Sequence, residues 1–153
     1  MQEILNWKQI ESAIDNLIEQ IKKWPKDEKP DFIFGVPRGG LVPAVIMSHK
    51  LGIPLTQEID CYKTDEKWMT VRANVLIVDD IVDKGNTLLK IIGKSDPAHT
   101  YNYNLFSVAL HYSPNSFIKP HAYMWKKTND NWIVYPWETA ESEKDEVADY
   151  ARE

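Results

Sequence analysis

The sequence predicts an α/β protein built on a mainly parallel sheet flanked by helices, and three stretches carry that prediction. Asn74-Val75-Leu76-Ile77-Val78 and Asp31-Phe32-Ile33-Phe34-Gly35-Val36 are short apolar runs without alternation, the pattern of strands buried on both faces. Each ends in a small or glycine-rich turn, and each turn feeds a helix-like stretch, Leu41–Leu51 after the earlier run and Leu88-Leu89-Lys90-Ile91-Ile92 after the later one. Ahead of both, Trp7, Ile10, Ile14, Leu17, Ile18, Ile21 and Trp24 recur at three- and four-residue steps, which gives an amphipathic helix with one core face.

The 153 residues fit one domain with room for a proper core. With 43% apolar and 27% charged residues the composition is that of an ordinary globular chain. The formal charge of −5 is concentrated at one end: from Glu138 onward seven acids face only Lys144 and Arg152. A basic field for nucleic acid is therefore excluded, and the acidic end reads as a solvated helix or tail. Cys61 stands alone, so neither a disulfide framework nor a cysteine zinc set can be assembled. His49, His99, His111 and His121 lack metal-ligand spacing and read as surface or structural residues. Without a signal-peptide pattern or an apolar run of membrane-spanning length, the expected compartment is the cytoplasm.

Taken in order, the first helix has Asn6 as its cap, with Gln9 three residues later, and the charged loop Pro25–Pro30 closes it. The strand at 31–36 runs into Pro37-Arg38-Gly39-Gly40. Two glycines alone would serve a tight turn; Arg38 adds a fixed cation over a glycine-bared backbone, which suits pyrophosphate. Leu41–Leu51 has Pro43 in its first turn and Gly52 as terminator. Ile53-Pro54-Leu55 begins another short strand, and the polar interval from Glu58 to Thr70 holds Lys63 and Lys67. Leu105–Leu110 and Ala122–Trp125 read as further strands. His111-Tyr112-Ser113-Pro114 follows the first of them, and Asn131-Trp132-Ile133-Val134-Tyr135-Pro136-Trp137-Glu138 ends the patterned part of the chain.

The chemistry concentrates where the strand at 74–78 stops, on Asp79, Asp80 and, three residues on, Asp83. Lys84-Gly85-Asn86-Thr87 then offers successive backbone N–H groups, a hydroxyl and a helix start, together a cradle for phosphate. Adjacent carboxylates suit hydroxyls, or a Mg²⁺ that keeps most of its waters. Acids before a helix are common in themselves, because they favour its N-terminus. Two other motifs are excluded: the turn is neither a Walker loop nor a G-x-G-x-x-G fingerprint. A receiver domain would need an aspartate closing a later strand, and none of the runs after Ile92 ends so.

As a whole, residues 74–87 resemble the phosphoribosyl-diphosphate (PRPP) motif of the type I phosphoribosyltransferases. Val36-Pro37-Arg38-Gly39-Gly40-Leu41-Val42-Pro43-Ala44 is similar to that family's pyrophosphate loop, and Trp132–Glu138 to the base-binding segment of its bacterial and archaeal xanthine–guanine (hypoxanthine) members. The resemblance implies the type I fold in a single domain: an N-terminal helix over 1–30, a core over 31–112, a small hood over 113–138 and an acidic tail over 139–153. It implies transfer of a phosphoribosyl group from PRPP to a purine, with Mg²⁺ as cofactor, in a homo-oligomer, dimer or tetramer. It places the ribose hydroxyls on Asp79 and Asp80, with Asp80 beside the metal, and the 5′-phosphate on Lys84, Gly85, Asn86 and Thr87. Pyrophosphate falls to Arg38, Gly39 and Gly40, with an unusual peptide geometry near Pro37-Arg38. By the same match Trp132 is expected to stack on the purine and Ile133 to supply backbone contacts, and Asp83 is the expected general base. A short flap is expected at Tyr62–Lys67.

One residue departs from the pattern. The purine enzymes carry a lysine before the proline that follows the late strand, where it reads the 6-oxo group, and this chain has Ser113 before Pro114. Serine brings no charge, so weaker 6-oxopurine selectivity is expected unless Lys119, Lys126 or Lys127 substitutes. Ser113 also leaves room for two other readings: a PRPP-sensing module without turnover, and a phosphoribosyltransferase for another nucleobase. Asp83 and Trp132 argue for the enzyme, and the aromatic C-terminal segment argues for a purine.

Overall fold

The computed structural model describes residues 1–57, 73–94 and 103–138. The chain begins with a three-residue strand, β1 (Gln2–Ile4), and then forms α1 (Trp7–Lys22). Asn6 caps the helix as expected: its side chain accepts from Gln9 N–H, and Gln9's side chain accepts from Asn6 N–H, each at 2.9 Å. This reciprocal pair satisfies two donors that a bare helix start would leave unpaired. Ile10, Ala13, Ile14, Leu17, Ile18 and Ile21 form one buried face. At roughly 1.5–3 kcal/mol for each fully buried large aliphatic side chain, that face docks the helix far more firmly than its propensity does.

β2 (Phe32–Gly35) leads into α2 (Leu41–Leu51), and β3 (Leu55–Thr56) follows. α2 ends at Gly52, whose φ of 65° is the left-handed cap conformation predicted for it. β4 (Ala73–Val82), α3 (Asn86–Lys94), β5 (Tyr103–Tyr112), β6 (Ala122–Lys126) and β7 (Trp132–Val134) complete the described elements. Five strands form one sheet in the order β3-β2-β4-β5-β6, and each neighbouring pair is parallel. β4 lies in the middle, which explains its unbroken apolar run: a helix layer covers each of its faces.

Residues of β4 divide the core between those layers. Leu76 and Val78 pack with Ile33, Val108, Leu110, the α1 face and Ala44 and Met47 of α2. Ile77 and Val82 pack on the other side with Val36, Ala109, Tyr112 and Leu88 of α3. The α/β fold with a mainly parallel, helix-flanked sheet is thus the fold observed.

Two features differ from expectation. Ala122–Lys126, within the span 113–138 expected as a hood, pairs with β5 as a strand of the main sheet and leaves the segment around β7 outside that sheet. That segment is braced by the chain's first residues: β1 pairs in parallel with β7, Gln2 opposite Trp132 and Ile4 opposite Val134. All three residues of β1 are exposed, so no hydrophobic pattern announced it. Its parallel backbone pairing with β7 holds it there. The flap expected at Tyr62–Lys67 and the acidic tail at 139–153 lie outside the described residues.

Candidate active site

The central strand outruns its neighbour. β2 pairs with β4 only as far as Gly35 opposite Val78, and Val36 N–H makes a last bond to Val78 O at 2.9 Å. β2 then turns away into Pro37–Gly40, while β4 continues beside β5 through Asp79 opposite Ala109 and Val82 opposite Tyr112. Asp79 and Asp80 therefore lie within the strand, not beyond its end as the sequence implied. β5 is long enough to keep pairing there, and the acids gain an ordered backbone beside an empty sheet position. Such a step at the carboxyl edge of a parallel sheet is where α/β proteins bind ligands.

Both acids are buried, Asp80 with 6% of its surface exposed. Burial raises the Asp80 carboxyl above the usual carboxylate range, and hydrogen bonding with Asp79 and the Ile81 N–H opposes that rise. The Ile81 bond is 2.8 Å, and Asp80's own N–H donates to Asp79 Oδ1 at 2.9 Å. The glycine loop lies directly on this carboxylate: a Cβ on Gly39 would sit 2.0 Å from Asp80 Oδ2. A Cβ on Gly40 would sit 2.4 Å from Val78 O and 2.7 Å from Val36 O. Close approach is thus the reason for both glycines. The Pro37–Arg38 peptide is cis, which is the unusual geometry expected near it. Arg38 is exposed, and among the described residues its guanidinium has no ion-pair partner.

The Lys84–Thr87 turn opens α3 as predicted. Gly85 has φ 87°, a conformation that disfavours any side chain, and its carbonyl accepts the first helical bond, from Leu89 N–H at 2.9 Å. The loop after β5 closes over this turn. Ser113 N–H donates to Val82 O at 2.9 Å and Phe117 N–H to Lys84 O at 3.0 Å, while Ser116 Oγ and Ile118 fill the space beside Gly85. Ser113 is therefore buried as the anchor of a loop, a role that its position before Pro114 did not reveal.

Beyond the step lies a cleft. Asp80 and Ile81 come to it from β4 and Asp83 from the following loop; Lys127, Trp132 and Tyr135 come from the chain after β6. Ile133 and Glu138 complete its lining. Of the predicted site residues, Asp80, Asp83, Trp132 and Ile133 thus meet at one place. Asp79, Arg38, Lys84, Asn86 and Thr87 lie outside that cleft, on the strand and turns beside it. Trp132 is 43% exposed, so part of its ring is available to a ligand. In β7, Trp132 N–H and Val134 O are spent on β1, bonding Met1 O at 3.1 Å and Leu5 N–H at 2.9 Å. In a parallel pair successive residues face alternate edges, so the N–H and C=O of Ile133 point to the edge away from β1.

Tyr135 ties the two halves of the site together, and the sequence did not single it out. Its hydroxyl donates to Asp80 O at 3.0 Å and meets His111 Nδ1 at 2.8 Å. A phenol has one proton, so with that proton on the Asp80 carbonyl, His111 Nδ1 must carry the hydrogen of the second bond. His111 is buried against Trp125, at 4.8 Å between ring centroids. Burial, reinforced by the Lys127 charge, pulls its pKa from 6.5 down to about 4. The reading of His111 as structural holds.

Among the described residues no three His, Cys, Asp or Glu side chains converge as a metal cage. Mg²⁺ does not require one, since it binds through one or two carboxylates together with substrate phosphates and water. Asp80, a buried carboxylate pressed against the glycine loop, fits that mode of binding. No helix among the described residues is long and apolar enough to cross a membrane.

A parallel sheet, buried acids at the end of its central strand and a glycine turn opening a helix define an α/β protein of the phosphosugar-binding class. Within that class the phosphoribosyl transferase domain family matches residues 1–143, and the chain belongs to that family. A xanthine-guanine phosphoribosyltransferase of Vibrio vulnificus is 30% identical over 147 residues, covering 90% of this chain and 89% of the relative. The purine phosphoribosyltransferase structure from Pyrococcus horikoshii superposes with a TM-score of 0.70 at 30% identity, over 90% of this chain and 94% of that one. The xanthine-guanine-hypoxanthine enzyme of Helicobacter pylori shares the fold, with TM-score 0.70 at 17% identity over 95% and 99% of the two chains.

Proposed function

We propose that the protein is a phosphoribosyltransferase that moves the 5-phosphoribosyl group of PRPP onto a purine, giving a nucleoside monophosphate and pyrophosphate. The observation that carries this reading is the cleft in which Asp80, Asp83 and a half-open Trp132 meet, one turn from a glycine cradle at a helix start. Family membership and the purine-enzyme names of the 30%-identical relatives support it. The xanthine-guanine name of the Vibrio vulnificus relative favours guanine or xanthine as acceptor, with hypoxanthine as the third oxopurine proposed.

In this reading the Lys84–Thr87 turn holds the 5′-phosphate by its N–H groups and the Thr87 hydroxyl. Asp79 and Asp80 accept hydrogen bonds from the ribose diol. Arg38 and the N–H of Gly39 receive the pyrophosphate and offset its growing charge as it leaves, while the Gly40 N–H stays bonded to Val36 O at 2.9 Å. Asp80 would hold Mg²⁺, which would supply further neutralisation of that charge. The purine lies on Trp132, with the outer edge of Ile133 beside it. As the bond between the anomeric carbon and pyrophosphate oxygen breaks, positive charge builds on the sugar, as in glycoside chemistry. A purine ring nitrogen then bonds to that carbon and gives its proton to Asp83.

A product assay with PRPP, Mg²⁺ and a panel of nucleobases tests the proposal. Nucleotide and pyrophosphate should appear in equal amounts with at least one oxopurine. Tight PRPP binding with no base accepted would turn the reading into a sensor module.

A further inference from the structure

Segments from opposite ends of the chain meet beside the cleft, joined by side chains as well as by strand pairing. β1 and β7 form a two-stranded parallel ribbon outside the main sheet, a unit that is marginal by itself. Of β7 only Ile133 is buried, and beyond it Tyr135 is pinned at its hydroxyl by Asp80 O and His111. Two such pins leave a segment able to roll about the line that joins them, and a roll would swing the half-open Trp132 ring across the cleft. Trp137 opposes it. Its ring stacks on Tyr135, with centroids 4.9 Å apart and planes 4° from parallel, and it meets Trp7 at 5.9 Å. Trp137 Nε1 is buried without a hydrogen-bond partner among the described residues, so ring contacts set the angle of this indole. Tyr135 N–H donates to Glu138 Oε2 at 3.1 Å and Glu138 N–H to Tyr135 O at 3.0 Å, so the turn moves as one piece, with Glu138 in the cleft lining. Trp7 is the first residue of α1, whose core face is firmly docked, yet Trp7 itself is 47% exposed. It carries the rigidity of the helix to this turn from outside the core.

We infer that Trp7 is a positioning residue for the base: through Trp137 and Tyr135 it fixes the tilt of β7, and so the angle at which Trp132 meets a purine. The inference rests on the purine reading above and deepens it. Stacking depends on the angle between rings, and a ring that rocks must first be ordered at a cost to binding. The groups assigned to the sugar and its phosphate stand instead on β4 and the 84–87 turn. The ring column reaches them only through the Tyr135 hydroxyl. Removing Trp7 leaves that bond and the Trp137–Tyr135 stack in place. Binding of the base should therefore suffer, and binding of the sugar phosphate should not.

Calorimetric titration of the full chain with guanosine 5′-monophosphate tests this, with ribose 5-phosphate as the control for the sugar site. The wild type should bind the nucleotide more tightly than the sugar phosphate. Trp7→Ala should bind the nucleotide about 2- to 10-fold more weakly, the worth of one aromatic contact, and ribose 5-phosphate as before. Trp7→Phe, which keeps a ring against Trp137, should retain most of the wild-type affinity. Ile18→Val, on the core face about three turns along the same helix, is the control for stability. It should melt lower and bind both ligands as the wild type does. Unchanged nucleotide affinity in Trp7→Ala overturns the inference, as does an equal loss for both ligands or the same loss in Ile18→Val. Each of these leaves the proposed function standing. If the wild type binds the nucleotide no better than ribose 5-phosphate, the purine reading itself fails and this inference with it.

Discussion

At the scale of single residues the site divides into groups that touch substrate and groups that hold those in place. Asp83 belongs to the first set: it is exposed on the loop after β4 and lines the cleft. Replacing it with asparagine keeps shape and polarity but removes the proton acceptor, so kcat should fall about 10²–10⁴-fold. Affinity for PRPP, measured by calorimetry, should change far less. Near-normal turnover in that variant would make Asp83 a turn residue only. Tyr135 belongs to the second set. Tyr135→Phe leaves the His111 Nδ1–H and one lone pair of the Asp80 carbonyl without their partner, at a cost of about 1–3 kcal/mol in urea melts. Because the lost bond also anchors the strand end that carries Asp80, KM for PRPP should rise as well. A variant less stable but kinetically unchanged would show that Tyr135 serves the fold alone.

At the scale of elements, the loop between β2 and α2 offers a paired test. The nearest atoms to an added methyl at Gly39 all belong to the Asp80 carboxyl group, a side chain and not the sheet backbone. Gly39→Ala should therefore melt close to the wild type and lose much of its activity. An added methyl at Gly40 meets the carbonyls of Val78 and Val36, which belong to the sheet and cannot move alone. Gly40→Ala should instead lower the melting temperature. Similar melts for the two variants would contradict this division of roles. Elements of this kind were legible in the sequence because their signals are local. The apolar run of β4, the glycines around α2 and the Asn6–Gln9 cap each lie within a few residues of what they determine. The strand position of Asp79 and Asp80 was not legible, because it depends on how far β5 extends. Nor was the docking of 113–118 on Gly85, which joins segments that the sequence shows only as separate loops. Gly85 also needs its positive φ and abuts Ser116 and Ile118, so a bulky residue there would disturb the loop as well as the cradle. Thr87→Val, which removes only a hydroxyl, is the cleaner probe of the phosphate site.

At the scale of the molecule, His111 links protonation to stability. Its pKa is about 4 in the folded chain, against 6.5 for an unperturbed imidazole, so between these values the unfolded chain binds the extra proton. Stability should therefore be at its plateau above about pH 6.5 and fall as pH drops towards 4, by an amount on the order of 3 kcal/mol from this residue. Urea melts across that window should show the loss, and His111→Asn, itself less stable, should show a shallower slope. An unchanged slope would assign the acid sensitivity to other groups. The partners behind this effect, Trp125 and Lys127 from β6 and its end and Tyr135 from the segment after β7, all come later in the chain than His111, which is why a lone histidine in the sequence gave no hint of it. The pairing of β1 with β7 has a further consequence, for the order in which the protein can be built. A ribosome delivers Gln2 before the strands of the main sheet and its partner Trp132 only after them. The strands, acids and glycine turn of the sugar site can assemble on the emerging chain. The wall against which the base would lie gains its brace last, when the two ends of the described chain meet.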